Sequence, residues 1–160
     1  MESLKINKVQ IRNLQIEDYT QLSQSFKRVY SDGSDVFWTH KQIEKLIKIF
    51  PEGQIVTVVD EKIVGCALSI ILDYDKVKND HTYAQVTGKE TFDTHNPDGN
   101  ILYGIEVFIH PDYRGLRLAR RMYEYRKELC ETLNLKAIMF GGRIPNYHKY
   151  ADKIRPKEYI

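Results

Sequence analysis

The chain is 160 residues long, 42% apolar and 29% charged, with 24 basic against 22 acidic residues and a net charge of +2. That length can enclose one sizeable core; the charge is too small to imply nucleic acid, and no apolar run approaches the about 18 residues of a membrane helix. Two cysteines make no disulfide framework, so a reducing cytosol is the default compartment, and the polar N-terminus does not read as a signal peptide.

Lys8 to Leu14 predicts a first strand with Val9 and Ile11 on one side. Ile16-Glu17-Asp18 opens a helix whose apolar positions Tyr19, Leu22, Phe26 and Val29 step by three and four, with two acids placed to suit the helix dipole. Ser31-Asp32-Gly33-Ser34-Asp35 breaks it. Thr39, with Gln42 three residues on, is the N-cap pattern of a second helix presenting Ile43, Leu46, Ile47 and Phe50 before Pro51. Phe37 and Trp38, just ahead of it, read first as core and second as substrate-facing aromatics. Gln54 to Val59 and Lys62 to Leu72 are two strands joined at Asp60-Glu61, a hairpin by spacing, and Gly65 marks a bulge or a close backbone approach. With the first strand they form an antiparallel meander.

Asp73 to Asn100 is polar and irregular, which points to a plain loop or to a functional flap. Asp73-x-Asp75 lacks the glycine and the terminal acid of a calcium loop. His81 and His95 are too far apart to read as a metal pair, so no metal site is expected.

Ile101 to Ile109 is apolar, β-branched and aromatic, as a central strand should be, and His110-Pro111-Asp112 stops it because proline cannot donate to a ladder. From Leu118 the apolar residues recur as Leu118, Met122, Tyr125, Leu129 and Leu133, one stripe of a helix. Between strand and helix lies Tyr113-Arg114-Gly115-Leu116-Arg117-Leu118-Ala119. The first amides of the helix have no partner inside it, and with the dipole and two arginines they make a phosphate site or, more plainly, a strand-to-helix turn with solvated arginines. Leu135 to Phe140 is a further strand that Gly141-Gly142 ends, and Asn146 to Tyr150 starts a short helix or turn.

The run Ile109-His110-Pro111-Asp112-Tyr113-Arg114-Gly115, with Ala119, resembles the signature of the GNAT superfamily of N-acetyltransferases: Arg or Gln, two residues, Gly, one residue, then Gly or Ala, after a strand ending in Val/Ile-x-Pro. Arg117 stands where the second glycine is usual; treated as a helical residue, it needs no positive φ and its amide can still donate. More narrowly, HPDYRGLRLARRMYEYRKELC, Leu135 and GGRIPNYHKYAD (residues 141–152) are similar to the acetyltransferase domain fused to nitrilase-like carbon-nitrogen hydrolases in some bacterial proteins.

The resemblance implies an α/β fold with a mixed, mostly antiparallel central sheet flanked by helices, here lacking the last C-terminal strands. It implies a single acetyltransferase-like domain over residues 1–160, readable as an excised N-terminal domain of a longer protein. It implies acetyl-CoA as co-substrate, held by backbone groups of Val107, Phe108 and Ile109 and by the turn Arg114, Gly115, Leu116, Arg117, Leu118 and Ala119. The acceptor would be a small-molecule or peptide amine, and the partner a carbon-nitrogen hydrolase domain or a second copy of the chain. Acetyl transfer from an activated thioester needs a neutral amine, hence a proton acceptor. Glu106, an acid inside an apolar strand, is either that acceptor or a solvent-facing strand residue. In the family a tyrosine after the fifth strand often protonates the leaving thiolate, which singles out Tyr150 and, second, Tyr147. The alternative reading is a CoA-binding or degenerate regulatory module attached to the hydrolase.

Overall fold

The computed structural model describes residues 6, 8–30, 37–77, 83–88 and 91–140. Five strands lie in sequence order across one sheet: β1 (Val9–Asn13), β2 (Ile55–Val59), β3 (Lys62–Leu72), β4 (Ile101–Ile109) and β5 (Ala137–Phe140). β1 to β4 pair antiparallel and β5 runs parallel to β4. A parallel neighbour requires a crossover, and α5 (Leu118–Thr132) supplies it. The hairpin between β2 and β3 turns on Asp60 and Glu61, both at positive φ (46° and 71°), which matches the twist of the two strands.

α1 (Tyr19–Val29) and α2 (His40–Ile49) cover one face of the sheet. Their Leu22, Phe26, Ile43 and Leu46 pack on Cys66, Leu68, Ile70 and Phe108. Thr39 caps α2, its hydroxyl accepting from Gln42 N–H while the Gln42 side chain accepts from Thr39 N–H. Ile43 is fully buried, so its truncation to alanine removes about 2–5 kcal/mol. On the opposite face Leu118 and Met122 of α5 meet Ile55, Val64, Ala67 and Ile109. Phe37 and Trp38 are buried in the first core, and the Tyr19 hydroxyl donates to the Trp38 carbonyl at 2.7 Å. Gly65 lies where a Cβ would meet the Phe108 carbonyl oxygen at 2.6 Å, and the β2–β3 register shifts beside it.

The polar segment after β3 is more ordered than its composition suggests. It contains two short helices, α3 (Tyr74–Val77) and α4 (Tyr83–Thr87). Asp73 accepts from Asp75 N–H, so this acidic pair is a local turn rather than part of a cation loop. Residues 91–100 are fixed to α2, to the segment before it and to β3: Phe92 packs at a tilt on Trp38, Asp93 pairs with Lys45, and His95 Nδ1 accepts from Ile71 N–H at 3.0 Å.

Candidate functional site

The end of β4 presents backbone groups in two directions. His110 N–H donates to the Val64 carbonyl at 2.6 Å, and the β3–β4 register then pairs Ile109 with Gly65, Phe108 with Cys66 and Val107 with Ala67. Antiparallel pairs alternate between bonded and non-bonded. The backbone groups of Phe108 therefore face β3, whereas the N–H and C=O of Val107 and Ile109 point away from it, toward the edge beside α5.

Beyond β4, Pro111–Tyr113 makes a single 3-10 turn, with Tyr113 N–H donating to the His110 carbonyl at 2.9 Å. Gly115 follows at φ 82°, and a Cβ built there meets nothing within 4 Å, so the residue is required by its conformation and not by crowding. Arg117 departs from the sequence reading. It is not helical but stands immediately before α5 in the left-handed region, at φ 60° and ψ 24°. A side chain there costs about 1–2 kcal/mol, so the position does favour glycine.

A cleft of about 590 Å³ joins these two features. It is lined by Val107, Phe108 and Ile109 on the strand side, by Arg114, Gly115, Arg117, Leu118 and Ala119 on the turn side, and by Val29 and Tyr30 of the first helix region. Eight of the nine residues singled out for cofactor binding thus share one cleft. The ninth, Leu116, turns into a neighbouring groove with Ile11, Arg120 and Arg121. At the turn end of the cleft the first N–H groups of α5 have no intrahelical partner and carry the positive end of its dipole, beside the exposed Arg114 and Arg117. This combination suits a chain of amides ending in a pyrophosphate: peptide-like groups for Val107 and Ile109, anionic oxygens for the helix end.

Glu106 sits at an irregularity. Leu68 opposes Glu106 but Ser69 opposes Gly104, so the ladder skips Ile105. The bulge puts Glu106 two residues before Phe108 on the face covered by α1 and α2, half-buried rather than free in solvent. Its charge reaches Cys66, whose thiol is pushed well above its ordinary value first by complete burial and then by Glu106. Tyr147 and Tyr150 lie outside the described residues. Among those residues no group of three or more metal-binding side chains is present, and no helix is long and apolar enough to cross a membrane.

Arg126 is the residue the sequence did not reveal. It continues the buried stripe Leu118, Met122, Arg126, Cys130 at intervals of four, which was the available signal. It is 2% exposed and its Nη2 donates to Ser69 Oγ at 2.7 Å. Its guanidinium carbon lies 4.9 Å from the centre of the Phe140 ring. Burial lowers its pKa to about 10, which leaves it charged at neutral pH.

The chain matches the acetyltransferase (GNAT) family over residues 10–151, and it belongs to that family. It is 37% identical over 153 residues to the probable hydrolase YhcX of Bacillus subtilis (strain 168), covering 96% of this chain but 29% of that protein. It is 32% identical over 126 residues to the uncharacterized N-acetyltransferase YkwB of the same organism, covering 79% of this chain and 56% of the relative. The chain therefore spans between about a third and just over half of these two relatives. Among solved structures, the loading GNATL domain of CurA from Lyngbya majuscula superposes with a TM-score of 0.75 at 23% identity, covering 92% of this chain and 71% of that one. The GphF GNAT-like decarboxylase, in complex with isobutyryl-CoA, gives 0.74 at 16% identity over 94% and 75%. These two likenesses show the fold, including the mixed, mostly antiparallel sheet flanked by helices.

Proposed function

We propose that the chain transfers an acetyl group from acetyl-CoA to a primary amine by direct attack. The observation that carries this reading is the shared cleft in which the outward backbone groups of Val107 and Ile109 meet the N-terminus of α5. The pantetheine arm would pair with Val107 and Ile109 as a pseudo-strand, and the turn 114–119 would take the pyrophosphate. Acetyl-CoA supplies an activated thioester. The protein's contribution is to align it with the amine and to remove a proton.

Glu106 is the proton acceptor in this account. An ammonium of pKa about 10.4 must lose a proton before it attacks, and a carboxylate beside the bulge can take it directly or through water. The amine nitrogen then bonds to the thioester carbon, the carbon–sulfur bond breaks, and the thiolate receives a proton. Tyr150, or Tyr147, is the candidate donor by resemblance. The acceptor is a small-molecule or peptide amine, and the setting is cytoplasmic, with neither nucleic acid nor membrane as partner.

A second reading follows from the long relative. Since the chain aligns with 29% of a probable hydrolase, it would serve as a CoA-binding module attached to a carbon-nitrogen hydrolase, sensing CoA without turning it over. Acetyl-CoA raises the melting temperature under both readings. Thiol release in the presence of an amine panel occurs only under the first. Binding without thiol release across the panel favours the module, and absence of both contradicts the cofactor site.

A further inference from the structure

The cleft runs along β4 from the turn at 114–119 to Val107, and the parallel pairing of β4 with β5 occupies Ile101 to Gly104. Between them lies only the bulge at Ile105 and Glu106. An acyl group carried past Val107 meets the Gly104–Phe140 rung within about 10 Å, three residues along the strand. That rung is plugged. A Cβ at Gly104 would lie 2.5 Å from Arg126 Nη2 and 2.8 Å from the Phe140 ring, so no space remains beside the glycine. Phe140 is 49% exposed and rests its ring over the guanidinium, while Ser69 anchors Arg126 from β3. Among the described residues the buried Arg126 Nε–H has no hydrogen-bond partner.

We propose that Arg126 and Phe140 form the floor of the acyl pocket and restrict the chain to short acyl groups, an inference that rests on the cleft holding acyl-CoA. A longer aliphatic chain has to lift Phe140 off the guanidinium and then lie against a buried cation, and both moves oppose binding. A short acyl group stops before the floor and meets neither obstacle. Arg126 acts by closing the pocket and touches no reacting atom, so it is a specificity-determining residue.

Calorimetric titration with CoA, acetyl-CoA, butyryl-CoA and hexanoyl-CoA, without acceptor, tests this in the native chain and in Phe140→Ala. The ring is half-exposed at the sheet edge, so its removal leaves the core intact. Arg126→Met, which keeps bulk without charge, is the second variant. The native chain is expected to bind hexanoyl-CoA at least about tenfold more weakly than acetyl-CoA, and Phe140→Ala to narrow that gap to about threefold or less with acetyl-CoA affinity unchanged. Arg126→Met is expected to relieve the same discrimination. Equal native affinity for the short and long thioesters overturns the floor while leaving the CoA site standing. So does a Phe140→Ala form that weakens every ligand alike. If the native chain binds none of the four, CoA included, the cofactor reading falls and the floor with it.

Discussion

Leu68 faces Glu106 directly across the β3–β4 ladder, while the next residue, Ser69, faces Gly104. The displaced register turns Glu106 to the face of α1 and α2, while Val107 sends its backbone groups to the opposite edge. The bulge precedes both residues, and from Glu106 onward the regular alternation of the strand sets the proposed proton acceptor on one face while its neighbour Val107 offers its backbone away from β3.

Glu106→Gln keeps the shape of the side chain and removes its basicity. The rate of thiol release is expected to fall by about 10²–10⁴-fold near neutral pH, with the deficit shrinking as pH rises and the amine deprotonates unaided. A deficit of constant size across the pH range would assign Glu106 a packing role.

Arg117→Gly removes the side chain from a left-handed position at φ 60°. Stability is expected to rise by about 1 kcal/mol, or about 2–4 °C in a thermal melt. CoA affinity should change by less than about tenfold, because the helix amides and Arg114 remain. Complete loss of CoA binding in this variant would make Arg117 the principal phosphate ligand, against a cradle dominated by backbone.

Gly115→Val should lower stability by about 1–2 kcal/mol through backbone strain alone, since φ is 82° and a Cβ meets no protein atom. The same substitution is expected to abolish the thermal shift caused by acetyl-CoA. An unchanged shift would move the phosphate site away from this turn.

His95 should make stability fall in mild acid. Its Nδ1 must be unprotonated to accept from Ile71 N–H, and burial lowers its pKa, a direction that the charge of Glu52 only partly opposes. The unfolded imidazole, near 6.5, then binds protons that the folded one resists. Stability is therefore flat above the unfolded value and decreases as pH drops through it toward the folded pKa. Denaturant midpoints between pH 7.5 and 5 should fall, and His95→Asn should flatten that dependence; an equal slope in both forms would exclude this histidine.

Much of the fold was legible because periodicity and turn chemistry agreed. The capping box at Thr39 and Gln42, the hairpin at Asp60-Glu61 and the strand ended by Pro111 follow from local preferences that packing did not override. The conformation of Arg117 was not legible, because residue type alone does not say whether a position lies inside a helix or one residue before it. Arg126 escaped notice for another reason: arginine is normally solvated, and only its place four residues after Met122 and four before Cys130 hinted at burial. The outward direction of Val107 and Ile109, as opposed to Phe108, depends on the phase of the ladder with β3, which requires the register of a strand more than thirty residues away.

The central claim is that acetyl-CoA lies along the C-terminal half of β4 beside Val107 and Ile109, and amide hydrogen exchange resolved at single residues tests it most directly. With saturating acetyl-CoA, protection is predicted to increase at Val107 and Ile109 and in the first amides of α5, with Phe108 unchanged because its N–H already faces Cys66. Unaltered exchange at both Val107 and Ile109 under saturating ligand would contradict the account.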